Sequence, residues 1–558
     1  MTLSLGNQTG SSTDAQATIT ALELRALLEA GEDLVVADAS EGDDYAAGHI
    51  SVSVPVPASE VELRLEELVA RRSVPIVFTS TVGDGEDLAE QAARRARAAG
   101  YPDVRVLHGG NQEWVSAGFR LITNVNSLSK ALGEFVERRY DTPRVTVEQL
   151  KAKIDAGEDL VILDTRPFDE YHAISIPGGV DAPGPELLLR AYDQISKPST
   201  QVVVNCAGRT RAIIGAQTLI NAGFPNPVVS LENGTTAWLL AGYDPGHGDV
   251  AVAGGPNAEN RARAAAAARD VARRFGIREI TREELDAVRE TAEQRSLYLI
   301  DVRTHEEYLA GHLDGSRSVP GGQLVQKTDY YVGSRNGRVI VIDDADGVRA
   351  RTTAGWLVQL GLPDVSVYLL GDDPLVAGDT PWATPVDSAS ADVGADASAD
   401  VDIDVDELAA LLDGPSPRPL VIDLEPARPY VLVRHYIPDS VVARRSSLHR
   451  LLSYVPDDTA IVFTSVDGRL ARLAATEHGA GRSVRALSGG TQAWRDSGRA
   501  VGTGSGQEPL DPAERIPAPL TLEQRRANLD WYVAWGDTIV DELERDGLVR
   551  FVEPSRVE

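Results

Sequence analysis

At 558 residues the chain is too long for one hydrophobic core, and about 150 residues per domain predicts three to four domains. A formal charge of −30 argues against sequence-independent nucleic-acid binding and against anionic membrane surfaces, both of which need clustered Lys and Arg. The single cysteine, Cys206, excludes an intramolecular disulfide framework and a Cys-cluster metal site. No apolar run approaches the roughly 20 residues that span a bilayer, and the polar opening MTLSLGNQTGSSTDAQ predicts no secretory signal. The expectation is a cytoplasmic protein with neither nucleic-acid nor membrane partners.

One plan recurs four times along the chain: an amphipathic helix, a short buried strand ending in Asp, a polar loop, a second apolar strand and another helix. In the first repeat the helical stretch ALELRALLEAGEDL stops at Gly31, LVVAD ends at Asp38, VPIVFTS follows, and HGGNQEW turns at Trp114. Residues 124–142 predict a connecting helix. The second repeat runs through VTVEQLKAKIDAGEDL with Gly157, LVILD at Asp164, QVVVNC, and LENGTTAW at Trp238. An Ala/Arg-rich helix is expected over 257–275. The third has LYLID at Asp301, RVIVID, and LLGDDPL where the tryptophan turn is lost. A flexible stretch is expected from Thr380 to Asp402. The fourth has PLVID at Asp423, AIVFTS, and LSGGTQAW at Trp494. A Pro-rich segment then leads to a helix ending at Gly547, expected to clasp the domains through Leu529, Val533 and Ile539. Short apolar strands alternating with helices predict an α/β fold of four tandem domains, each a parallel sheet flanked by helices, plus a C-terminal helical extension. The boundaries read as 17–122, 143–245, 278–378 and 402–502, with a tail over 508–558.

Cys206 lies at the end of QVVVN and precedes AGRTR and the helical AIIGAQTLINAG. A free cysteine beside a strand is commonly a small core hydrophobe. Here the flanks argue otherwise. A strand-to-helix turn containing Gly208 lets successive amides point into one anion-binding concavity at a helix N-terminus. Arg209 and Arg211 add positive charge. Such surroundings predict a lowered pKa, with thiolate as the resting form.

Asp164–Arg166, Glu170–Tyr171, the six-residue loop CAGRTR from Cys206 to Arg211 and the NGTTAW turn resemble the rhodaneses, or sulfurtransferases. The likeness covers most of the chain as four rhodanese-like domains. It implies that Cys206 is the nucleophile, taking a sulfane sulfur from a donor as a persulfide and passing it to a thiophilic acceptor. It also implies a cradle of Ala207, Gly208, Arg209, Thr210 and Arg211, with Asp164, Arg166 and Glu170 in support and Arg211 anchored against Glu170. Neither cofactor nor metal is implied. The implied partners are a small-molecule sulfur donor and acceptor, with a protein thiol as a further acceptor. Arg209 is expected to face the donor, because side chains on successive turn residues cannot both point inward. The family's loop glycine often falls where this chain has Arg209, and its GHI element is Ile174–Ser175–Ile176 here.

Aligning the repeats puts Ser80, Asp344 and Ser465 at the cysteine position, and none of these can carry a persulfide. Domains one, three and four are therefore expected to be inactive, with His49 and His312 as structural ties. In tandem members of the family an inactive N-terminal domain usually covers an active C-terminal one. That order fits domains one and two, with three and four as a second, decayed pair. Two arginines suit a dianionic donor such as thiosulfate. A rhodanese-fold phosphatase or arsenate reductase needs one more residue in the loop, and a persulfide carrier or scaffold is the non-enzymatic alternative.

Overall fold

The computed structural model describes residues 18–81, 87–195, 197–379, 401–415, 417–424, 434–479, 481–504, 507–511 and 520–553. The expected flexible stretch after Thr380 lies almost wholly outside them. Each repeat folds into a five-stranded parallel sheet with the same strand order, 1-5-4-2-3. In the second sheet this order is Arg144–Val145, Val228–Leu231, Gln201–Asn205, Leu160–Asp164 and Val180–Asp181. The strands ending at Asp38, Asp164, Asp301 and Asp423 are all present, each beside the second apolar strand of its repeat.

Period-2 alternation explains why these strands are apolar throughout. In QVVVN, Val202 and Val204 face one layer with Leu163, Ala216 and Leu219, while Val203 faces the other with Ile162, Leu231 and Trp238. The helix opening each of the first three repeats starts with a capping box: Thr20 with Glu23, Thr146 with Gln149, and Thr281 with Glu284. In the first repeat the helix stops at Gly31, whose φ of 74° is left-handed.

The connecting helices form at Ser127–Tyr140 and Ala258–Arg274. Alanines of the second, Ala264, Ala265 and Ala268, pack on the second sheet. The C-terminal helix spans Leu522–Asp546 and ends at Gly547, with φ 75°. Its buried face differs from expectation: Ile539 is buried together with Trp535, Val540 and Leu543, whereas Leu529 and Val533 are only half-buried. Its end is fixed by Asp546, which accepts from Arg25 at 3.1 Å and from the Ser51 hydroxyl at 2.5 Å. Among the described residues no helix is long and apolar enough to cross a membrane.

The chain divides into two compact units, one built around the first three sheets and one around the fourth. The third sheet belongs to the first of these units. The third sheet shares a continuous core with the first connecting helix and with the helix after Cys206: Leu132, Val136 and Ile213 pack with Leu324, Trp356 and Leu357. The outward face of the Cys206 helix is apolar, and the connecting helix and the third domain together cover it.

Candidate active site

Cys206 follows directly on strand Gln201–Asn205 and precedes helix Thr210–Asn221, so its loop is a single strand-to-helix turn. The neighbouring strand fixes where that turn begins. Asp164 lies opposite Asn205 in the sheet register, and Asn205 Nδ2 donates to its carboxylate at 2.8 Å. Arg166 closes on the same carboxylate with two bonds of 2.8 Å and donates to the Ile174 carbonyl at 2.6 Å. All three side chains are buried. Asp164 and Arg166 therefore act as a strut beneath the loop.

The NGTTAW turn holds the loop from the other side. The Thr235 amide donates to the Cys206 carbonyl at 2.9 Å, and the Thr236 amide and hydroxyl donate to the Ala207 carbonyl at 3.0 and 2.7 Å. Gly234 is required there: its φ is 54°, and a Cβ would stand 2.1 Å from the Cys206 carbonyl oxygen. Sequence reasoning used this turn as a repeat marker and as part of the family resemblance, and missed Asn205, Gly234, Thr235 and Thr236 as loop supports. Its signal was present, because a small-residue pair precedes the buried tryptophan in repeats one, two and four.

The thiol is 2% exposed, in a turn where the amides of Gly208 and Ala212 favour charge on its sulfur. Burial pushes the Cys206 thiol above its ordinary value, while the Arg211 guanidinium and those two amides pull it down. That direction is the reverse of the lowered pKa expected of the cradle: desolvation outweighs the amides and Arg211. Arg211 meets Glu170 in a two-bonded pair at 3.0 and 2.9 Å. Burial alone would raise the Glu170 carboxyl, but Arg211 holds it below the usual range.

Arg209 does not face the loop interior. Its guanidinium donates to Glu134 at 2.9 and 2.8 Å and to Glu137 at 2.5 Å, both on the connecting helix. The expectation that it meets the donor is overturned by those two carboxylates, which lie some 70 residues away with no local cue to the contact. It ties the cysteine loop to the linker instead. Thr210 and Gly133 come into close approach at the same junction, where a Cβ on Gly133 would lie 3.1 Å from the Thr210 side chain.

A family model, the rhodanese-like domain, matches residues 20–117, 146–241 and 281–371, just over half of the chain. The chain belongs to the rhodanese-like family. Over 97% of its length it is similar to a thiosulfate sulfurtransferase from Pseudomonas aeruginosa, all of which is covered, at 39% identity and a TM-score of 0.85. It is also 30% identical over 102 residues to YrkF of Bacillus subtilis, a candidate sulfur carrier protein. That match takes in 18% of this chain, which spans 54%, about half, of the curated relative.

The rhodanese-like loops of the other three repeats can be placed by register. Thr79, Asn205, Ile342 and Thr464 occupy equivalent strand positions, each opposite the conserved-in-repeat aspartate. The following residues are Ser80, Cys206, Asp343 and Ser465. The third repeat is therefore corrected from Asp344 to Asp343. Its loop is longer: the Ala350 amide donates to Asp343 at 3.0 Å, seven positions on, where Ala212 lies six positions beyond Cys206. The inserted residue misled the alignment. Burial raises the Asp343 carboxyl to about 6, against the pull of Arg349. Arg349 also bonds Glu307, Asp344 and Glu186. In the fourth repeat the Ala471 amide reaches the Ser465 hydroxyl at 3.3 Å.

His49 and His312 are buried, stack on Tyr45 and Tyr308 at 4.0 and 3.7 Å, and each donates from Nδ1 to that tyrosine's carbonyl. They are structural ties. Among the described residues no cluster of His, Cys, Asp and Glu could hold a metal ion. A cavity of about 240 Å³ adjoins the cysteine loop, lined by Thr165, Thr210, Arg211 and Ile214 of the second domain and by Val325 and Trp356 of the third. The third domain, not the first, supplies its other wall.

Proposed function

We propose that the protein is a sulfurtransferase in which Cys206 alone carries the transferred sulfur. A donor such as thiosulfate gives up its outer sulfur to the Cys206 thiol. The donor S–S bond breaks as the Sγ–S bond forms, sulfite leaves, and a persulfide stays on the loop. A thiophilic acceptor, cyanide or a thiol, then removes it. The observation that carries this reading is the chain's one cysteine set at a strand-to-helix turn, where Arg211 and the amides of Gly208 and Ala212 favour charge on its sulfur. Those donors, with Arg211 behind them, stabilise negative charge on the persulfide once it forms. The likeness to a thiosulfate sulfurtransferase across nearly the whole chain supports the same reading.

The loop length favours sulfur transfer over phosphate hydrolysis, since six residues from Cys206 to Arg211 make it one residue shorter than the loop a rhodanese-fold phosphatase needs. Ser80, Asp343 and Ser465 leave the other loops without a nucleophile for this chemistry. The test is thiocyanate formation from thiosulfate and cyanide by the full chain and by Cys206→Ser, alongside an aryl phosphate. Turnover by the wild type alone, with no phosphate release, is the expected result. Equal turnover in Cys206→Ser, or phosphatase activity at a comparable rate, overturns it.

A further inference from the structure

We infer that the physiological sulfur acceptor is a small organic thiol with an apolar, ring-sized body, selected by the cavity between the second and third domains. The inference rests on the Cys206 persulfide reading and adds the substrate class to it.

The cavity walls are built in advance. Trp356 is held by a 2.9 Å bond from its indole N–H to the Thr218 hydroxyl. Ser129 of the connecting helix donates to the Gln326 carbonyl at 2.6 Å, and Arg349 of the third domain donates to Glu186 of the second at 2.9 Å. Beneath them runs the shared core of Ile213, Leu324 and Leu357. A preformed concave site joined to a reactive loop is the usual form of a small-molecule pocket.

Its chemistry is apolar. Ile214, Val325 and Trp356 line it together with Pro167 and Pro185. The cations on its walls are already matched: Arg211 by Glu170, and Arg303 by Asp301 at 2.6 Å. Glu186 adds a carboxylate to the lining. A dianion gains little from such a surface, whereas an uncharged hydrocarbon body gains by leaving water. Cyanide and sulfite are too small to use it. The volume exceeds the roughly 150 Å³ at which an apolar cavity accepts benzene, so a ring with a short arm fits. The arm delivers sulfur to the loop, where the persulfide's outer atom stands about 2 Å beyond Sγ.

The transfer balances without a further reagent. The acceptor thiolate attacks the outer sulfur, a new S–S bond forms, and the Sγ–S bond breaks with its electron pair returning to Cys206. The acceptor's proton ends on the Cys206 thiol, and the product is the acceptor's persulfide.

The test uses the full chain with thiosulfate as donor and a series of alkyl and ω-phenylalkyl thiols of similar thiol pKa, with cyanide run in parallel. The kcat/KM for the thiols should rise about fourfold for each methylene buried, then fall once the body exceeds the cavity. Ile214→Trp, which fills the cavity, should lower the ratio of phenylethyl thiol to cyanide turnover at least tenfold. Trp356→Leu, which enlarges it, should move the optimum to longer thiols. A flat thiol series, a preference for small hydrophilic or protein thiols, or variants that leave the ratio and the optimum in place overturn the inference. Absence of thiocyanate in the wild type instead brings down the sulfurtransferase reading beneath it.

Discussion

Replacing Arg209 separates the geometry found here from the one expected of a donor-binding arginine. The Arg209, Glu134 and Glu137 side chains are 9, 6 and 14% exposed, so the charges are largely desolvated, and Glu137 has a further partner in the half-exposed Arg144 at 3.4 Å. Arg209→Met leaves two buried carboxylates facing an apolar chain. Breaking a buried pair by removing one partner costs about 3–5 kcal/mol, and the small exposure of Glu137 puts this case near the lower end, about 3 kcal/mol. The loss should be read in chemical denaturation of the full chain. It should be largely recovered in the triple variant Arg209→Met, Glu134→Leu, Glu137→Leu, because matched apolar replacement removes both charge and counter-charge. Steady-state kinetics supply the contrast. The KM for thiosulfate in Arg209→Met should stay within about threefold of wild type while stability falls. A tenfold rise in KM at unchanged stability would refute the structural assignment and return Arg209 to the donor.

Gly234→Ala combines left-handed backbone with a Cβ 2.1 Å from the Cys206 carbonyl, so it should cost about 2–4 kcal/mol. Gly223→Ala, with φ 66° and open space around it, should cost only about 1–2 kcal/mol and keep full turnover. Alkylation of Cys206 should still be accelerating above pH 8.5, the ordinary thiol range, because burial raises its pKa. Arg211→Gln should shift the profile further up, since Arg211 is the strongest group lowering it. Asp343 has its folded pKa raised from 3.8 to about 6, so the folded chain holds an extra proton in that window. Its contribution to stability is therefore lost as pH rises from about 4 to 6. Asp343→Asn should flatten that part of the stability profile, and a slope unchanged by the substitution would contradict the assignment.

The fold was legible because its signals are local. Alternating apolar strands ending in Asp38, Asp164, Asp301 and Asp423, with glycine-stopped helices before the first two, repeat within short windows of sequence. The cysteine loop was legible for the same reason, and so was the Arg211–Glu170 pair, which follows a motif. What escaped was long-range or energetic. Glu134 and Glu137 lie on a linker whose docking no local pattern encodes, so Arg209 read as a free cation. The charge-based argument for a thiolate counted the amides and arginines but not the desolvation of a sulfur 2% exposed. The third repeat's extra loop residue shifted its alignment by one, an error that only strand register corrects. The helix after Cys206 was legible in AIIGAQTLINAG, yet nothing local said that the connecting helix and the third domain would cover Ile213 and Ile214.

Whether Cys206 holds the transferred sulfur is read by intact-protein mass spectrometry without assuming an acceptor. The full chain is incubated with thiosulfate, desalted and weighed, then treated with cyanide and weighed again. Wild type should gain one sulfur atom and lose it to cyanide, and Cys206→Ser should gain none. A wild-type mass unchanged by thiosulfate and by other sulfane donors, or the same gain on Cys206→Ser, would contradict it.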